Sequence, residues 1–357
     1  MGVLVNGVSQ DAVYASDSGE FVRKDSVFRD WVTADGASGF RAEAGRYHLY
    51  VSLACPWAHR TLILRALKGL EKAITLSVVD PYMGPEGWRF TERRGCTSDS
   101  ANGAAFLRDI YLKAKSDYTG RVTVPVLWDR LTETIVNNES SEIVRMLNCA
   151  FDAFALCELP DLYPQGLRPQ IDRWNAMIYS AVNNGVYRAG FATAQDKYEA
   201  AARELFAALD TLERHLGRHR YLCGSAITEA DWRLFTTLVR FDAVYYGHFK
   251  CNLRRLVDYH NLWGYARELY QIPGVACTVD LEQIKEHYYR SHTRINPAGV
   301  VPVGPALDFE APHGRGLMPR SAGPDPRSLW KCANIRARPA GTQEEQGGGL
   351  PLREELP

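Results

Sequence analysis

The chain has 357 residues, and its 42 Lys and Arg balance its 42 Asp and Glu. That length suits about two domains at roughly 150 residues each, with cores that need no stapling. The cancelled charge gives no general attraction to nucleic acid or to an anionic membrane, so neither is expected as a partner, and a small ligand is the better expectation.

No run of about 18 apolar residues occurs, so no membrane-spanning segment is expected. The start, "MGVLVNGVSQDAVYASDSGEF", has acids and no apolar stretch behind basic residues, so no secretory signal is read, and Asn6 stands where a myristoylation motif wants Ser or Thr. Cys55, Cys96, Cys149, Cys157, Cys223, Cys251, Cys277 and Cys332 have no paired spacing. They are expected to be free thiols of a cytoplasmic protein.

In chain order, residues 1–45 are polar and weakly periodic and are expected to form an N-terminal arm over the first domain. A first domain is expected over 46–150. "YHLYVS" reads as a strand, Pro56–Leu67 as a helix, and "AITLSVVD", "VPVLWD" and "TIVNN" as further strands, closed by the helix "ESSEIVRMLN". The order is β-α-β, then β-β-α. Between the halves lies an inserted stretch, 81–120, of the length that functional lids or disordered inserts have.

After Asn148 the periodicity turns helical through "QIDRWNAMIYSAVNNGVY", "YEAAARELFAALDTLERHLG" and "EADWRLFTTLVRFDAVYYG", which predicts an all-α domain over 165–305. Thr228 and Asp231 have capping-box spacing. Beyond Pro305 the composition becomes rich in Gly, Pro and charge, and 306–357 is expected to be a disordered tail. The fold class expected is α/β plus all-α.

Cys55 stands apart from the other cysteines because it lies where a strand gives way to a helix. Unpaired N–H groups and the positive end of the helix dipole favour a thiolate there and are expected to lower its pKa. Pro56 suits the first helical position. No second cysteine stands three positions on, so a resolving thiol must come from outside, which is the logic of a monothiol enzyme that uses glutathione.

Val124-Pro125 suits a cis-proline turn that offers backbone groups to an extended peptide. Glu139 and Ser140 begin a helix, where a carboxylate and an ammonium can both be met, although Ser140 reads equally well as a plain cap. His59, one turn beyond Cys55, reads as structural rather than as a base. The scattered histidines show no metal-ligand spacing, so no metal is expected.

"CPWAHR", "VPVLWD", "TIVNNESSEI", "NNGVYRAGFA", "ADWRLFTTLVRFDAVYYGHFKCN" and "HYYRSHTRINPAGVVPVGP" together resemble the glutathionyl-hydroquinone reductases, the Xi class of glutathione transferases, from about Phe28 to Pro305. The resemblance implies a thioredoxin-like glutathione-binding domain followed by an all-helical glutathione-transferase domain, in a homodimer. It implies a catalytic cysteine at Cys55 and glutathione contacts from Trp88, Arg121, Val124, Glu139 and Ser140. It also implies an aromatic hydroxyl cluster over the quinol at Tyr187, Tyr245 and Tyr288, with the adjacent Tyr289 as the alternative to the last.

The implied reaction removes glutathione from glutathionyl-hydroquinones, with glutathione as co-substrate and Cys55 as the carrier of a mixed disulfide. Tyrosine suits a quinol slot because one side chain supplies both a flat apolar face and a hydroxyl. The alternatives are a conjugating glutathione transferase or reductive dehalogenase, and a non-catalytic transferase-like interaction module. Conjugation needs the glutathione thiolate itself stabilised, and a protein cysteine at that place competes with it.

Overall fold

The computed structural model describes residues 2–11, 18–23 and 25–318. Strands β1 (Gly2–Val5) and β2 (Val8–Asp11) form a hairpin; β3 (Val32–Thr33) and β4 (Phe40–Arg41) are a short parallel pair. The first domain continues with β5 (Tyr47–Val51), α1 (Pro56–Leu67), β6 (Ile74–Val78), α2 (Leu107–Ala114), β7 (Gly120–Arg121), β8 (Val126–Asp129), β9 (Thr134–Asn137) and α3 (Ser140–Cys149).

Its four-stranded sheet has the order β6-β5-β8-β9. β5 pairs with β6 in parallel and with β8 antiparallel, so Leu49 faces Leu76 on one side and Leu127 on the other. Every residue of β5 is buried, as a central strand covered on both faces requires. β7 adds to the hairpin, which ties the N-terminal arm to the first domain.

The inserted stretch 81–120 is ordered, because buried carboxylates organise its loops. Asp99 accepts from the Tyr50 hydroxyl at 2.9 Å and from the Ala101 and Ala104 amides at 2.9 and 3.0 Å. Asp80 accepts from the Tyr82 amide at 2.9 Å and the Thr91 hydroxyl at 2.8 Å. α2 then lies within the stretch.

The second part is helical: α4 (Arg168–Met177), α5 (Gly185–Gly190), α6 (Gln195–Leu216), α7 (Glu229–Leu238), α8 (His260–Tyr270) and α9 (Leu281–Ser291). α6 buries Ala201, Leu205, Phe206, Leu209, Leu212 and Leu216, the stripe expected of an amphipathic helix. Two apolar runs that read as continuous helices are instead interrupted by π-helical stretches at Ile178–Asn183 and Phe241–Tyr245. Such wide turns often accompany functional sites, and these two carry Asn183 and Tyr245, both members of the side-chain clusters described below.

α7 begins as its spacing predicts. Asp231 Oδ2 accepts from the Thr228 amide at 2.8 Å and hydroxyl at 3.0 Å, while Oδ1 accepts from the Leu222 amide at 3.0 Å and the Tyr265 hydroxyl at 2.7 Å. That many donors on one fully buried carboxylate fix how three segments meet.

The expectation of a tail without structure from residue 306 fails for 306–318. Phe309 is buried against Trp263 and Tyr270. Arg315 is buried too, and binds Glu268 and the carbonyls of Leu216, His219 and Arg220. One aromatic and one arginine in a Gly- and Pro-rich segment anchor it without any periodicity; the rest of the expected tail, 319–357, lies outside the described residues. The expectation that every cysteine is a free thiol fails at Cys157, which is disulfide-bonded. Cys55, Cys96, Cys149, Cys223, Cys251 and Cys277 are free. No helix among the described residues is long and apolar enough to cross a membrane.

Candidate active site

Cys55 is the N-cap of α1, with Pro56 in the first turn. It remains partly accessible, and its thiol donates to the Val124 carbonyl across 3.6 Å, just before the cis Val124-Pro125 bond. The expectation of a lowered thiol pKa is not met. Burial pushes the Cys55 thiol up, while the amides of Ala58 and Trp57 and the guanidinium groups of Arg240 and Arg23 pull it down without cancelling the rise. The helix terminus helps the thiolate as expected, but sequence carries no measure of how far water is excluded.

His59 does no acid-base work in this arrangement. Its Nδ1 lies 2.9 Å from Arg240 Nη1, and its Nε2 lies 2.8 Å from the Thr278 hydroxyl, which itself donates to the Val275 carbonyl at 2.6 Å. An arginine can only donate and this hydroxyl is already committed as a donor, so the ring is the neutral tautomer with its proton on Nε2. Burial holds His59 well below its ordinary pKa.

At the start of α3, Glu139 caps its own helix: Oε1 accepts from the Ser141 amide at 3.0 Å and Oε2 from the Ser26 hydroxyl at 3.2 Å. Ser140 is buried and accepts from Arg60 Nη1 at 3.5 Å. Arg60 also donates to Asn183 Oδ1 at 2.8 Å, and its guanidinium lies 4.6 Å from the Trp57 ring. On that ring's account a second cation is present, since Arg23 also sits 4.6 Å from it. Burial lowers Arg60 to about 9.

The three expected tyrosines converge. The Tyr288 hydroxyl lies 2.6 Å from that of Tyr187 and 2.9 Å from that of Tyr245. Burial raises all three pKa values, Tyr245 to about 12 and Tyr187 and Tyr288 well above the ordinary phenol value, so the phenols stay protonated. A charge on Cys55 is felt at Tyr187 and Tyr245, which places thiol and hydroxyl cluster in one electrostatic neighbourhood. Tyr289, the alternative, points elsewhere and packs on His248 with ring centroids 4.7 Å apart. Gly190 lets Phe249 close on the cluster, because a Cβ there would meet the Phe249 ring at 2.2 Å.

Trp88 and Arg121 reach the cluster through intermediaries. Trp88 stacks on His287 at 4.8 Å, and His287 packs against Tyr288. Arg121 lies over Phe21 at 5.9 Å, and Phe21 stacks on Tyr187.

Sequence reasoning missed Arg23, Arg60 and Arg240. Arg240 carried a usable signal, a lone cation inside the apolar run "FTTLVRFDAV"; Arg23 carried none. Among the described residues no group of three His, Cys, Asp or Glu side chains is arranged to hold a metal ion.

The sheet with a cysteine-capped helix beside an all-helical half is the architecture of a glutathione transferase. The family models for the glutathione S-transferase N-terminal and C-terminal domains match residues 54–149 and 195–268. The glutathionyl-hydroquinone reductase YqjG of Escherichia coli (strain K12) is 54% identical over 326 residues, which cover 89% of this chain and 99% of that protein. PcpF of Sphingobium chlorophenolicum, also a glutathionyl-hydroquinone reductase, is 55% identical over 309 residues, 86% of this chain and 97% of its own.

Among solved structures, the glutathione-bound YqjG superposes with a TM-score of 0.82 at 52% identity, covering 88% of this chain and 99% of that one. The Xi-class transferase of Natrialba magadii gives 0.83 at 52% identity, with 88% and 96% covered. The chain belongs to the glutathionyl-hydroquinone reductases, the Xi class of glutathione transferases.

Proposed function

We propose that this protein is a glutathione-dependent reductase that cleaves glutathionyl-hydroquinones. The Cys55 thiolate attacks the glutathionyl sulfur, an S–S bond forms, and the aryl C–S bond breaks with its electron pair left on the ring carbon. That carbon takes up a proton and hydroquinone leaves. A second glutathione thiolate then attacks the mixed disulfide, releasing oxidised glutathione and restoring Cys55. Substrate and glutathione together give hydroquinone and oxidised glutathione, so atoms and electrons balance.

The observation that carries this reading is the chain of tyrosine hydroxyls, 2.6 and 2.9 Å apart, in the electrostatic neighbourhood of the thiol. Protonated phenols hydrogen-bond the quinol oxygens as the ring becomes electron-rich. Trp88, Arg121, Val124, Glu139 and Ser140 hold glutathione, the last two at the α3 N-terminus, where the positive end of the helix dipole suits a carboxylate. The working form is a cytoplasmic homodimer acting on small molecules.

The test is an assay of purified protein with glutathione and a panel of glutathionyl-hydroquinones, following hydroquinone and oxidised glutathione in equal amounts. Cys55→Ala abolishes turnover on this account. Thioether formation from glutathione and an electrophile, with no cleavage, would instead identify a conjugating enzyme.

A further inference from the structure

Arg240 is fully buried, and its hydrogen bonds describe what it does. Nη2 donates to the Leu53 carbonyl and Nε to the Ala54 carbonyl, each at 2.9 Å. Nη1 donates to the Thr236 carbonyl at 2.8 Å and to His59 Nδ1 at 2.9 Å. Those partners are the two residues before Cys55, one residue a turn after it, and one turn of α7 from the helical domain. A single side chain therefore grips the cysteine-bearing turn from both sides and ties it to the other domain.

None of those acceptors is a carboxylate. Among the described residues Arg240 makes no salt bridge, although burying an uncompensated cation is expensive. Its donors are satisfied by neutral groups that leave its charge intact. The groups facing Cys55 are Arg240, Arg23 and Arg60 as cations, Tyr187 and Tyr245 as phenols, and the neutral His59, with the amides of Trp57 and Ala58. Of the cations Arg240 alone bonds to the backbone that carries the thiol. Its charge also reaches Tyr245 and Tyr288, so the guanidinium shares one electrostatic neighbourhood with the thiol and the hydroxyl cluster.

We propose that Arg240 is the positioning residue of the Cys55 nucleophile: it fixes the Leu53-Ala54 turn against the helical domain and supplies the uncompensated charge that receives the thiolate. The assignment rests on Cys55 being the nucleophile. The anion formed there is the counter-ion Arg240 otherwise lacks.

Arg240→Gln and Arg240→Lys test this, with iodoacetamide alkylation of Cys55 followed against pH by mass spectrometry and with steady-state turnover of a glutathionyl-hydroquinone. Gln removes the charge, and a neighbouring opposite charge shifts a pKa by roughly one unit or more. The alkylation inflection should therefore rise by about one pH unit in Arg240→Gln, and the rate at pH 7 should fall about tenfold. Arg240→Lys keeps the charge but not the fork that spans both carbonyls. Its inflection should stay near that of the unaltered protein while kcat falls and KM holds.

A folded Arg240→Gln with an unchanged inflection overturns the proposal. Should Gln not fold, Arg240→Lys decides alone, and an unchanged kcat there overturns it. Alkylation needs no quinol, so a shifted inflection in a protein that never cleaves glutathionyl-hydroquinones would refute the proposed reaction and leave the role of Arg240 standing.

Discussion

Two buried arginine networks hold this molecule, one around Glu268 and one at the turn before Cys55, and they are built differently. In the first, Arg220 and Arg315 converge on Glu268: Arg220 Nε lies 2.8 Å from Oε1 and Arg315 Nε 3.1 Å from Oε2, while Arg220 also donates to the Arg315 carbonyl at 2.9 Å. In the second, Arg240 meets only carbonyls and a neutral imidazole among the described residues. A carboxylate spends the charge of the first network on holding a chain segment in place. The second network leaves its charge unspent, beside a thiol. The difference separates an arginine that closes a fold from one that serves a reaction.

The contrast breaks most visibly at Glu268. Glu268→Gln leaves two buried guanidinium groups facing a neutral amide and should lose about 3–5 kcal/mol of stability in urea unfolding, with activity per folded molecule unchanged. Ending the chain after Pro305 removes Phe309 and Arg315 together. The lost burial of Phe309 alone should lower stability by about 3 kcal/mol. Unaltered unfolding of that truncated chain would show the segment to be a passenger.

Acid should act on the buried histidines, His59 beside Arg240 among them. An unfolded histidine takes up a proton near pH 6.5, whereas burial holds His248 and His287 neutral down to about 4 and His59 well below its ordinary value. Between those limits the unfolded chain binds more protons, so stability falls as pH drops from 6.5 toward 4. His248 and His287 should each contribute a loss of about 2 kcal/mol by pH 5, and His59 a loss in the same direction. His59→Gln, which keeps an acceptor for Arg240, should flatten that part of the profile.

The smallest effect belongs to the phenols. Tyr187→Phe or Tyr288→Phe should reduce kcat/KM on glutathionyl-hydroquinones by about 1–2 kcal/mol, roughly five- to thirtyfold, and barely change reduction of a simple mixed disulfide, whose sulfur leaving group needs no phenolic partner. Equal losses on both substrates would assign the tyrosines to folding alone.

Much of this was legible in the sequence where local rules govern. The strand-helix order of the first domain, the Thr228-Asp231 start of α7 and the position of Cys55 at a helix N-cap follow from spacing and residue type. The tyrosine cluster followed only from the family resemblance, because its members lie about 40 to 100 residues apart and nothing local joins them.

What escaped depends on burial and distant contacts. The net direction of the Cys55 pKa sets helix amides and guanidinium groups against lost solvent, and only the fold sets that balance. The ordered 81–120 stretch rests on single aspartates, and the 306–318 segment rests on Phe309 and Arg315, so neither shows periodicity.

The central claim is that Cys55 takes the glutathionyl group directly from the quinol. Protein mixed with a stoichiometric amount of glutathionyl-hydroquinone, in the absence of free glutathione, should release hydroquinone in a single turnover and carry a reducible glutathionyl adduct on Cys55 by intact-mass and peptide mass spectrometry. Hydroquinone release with Cys55 unmodified, or no release until free glutathione is added, would contradict it.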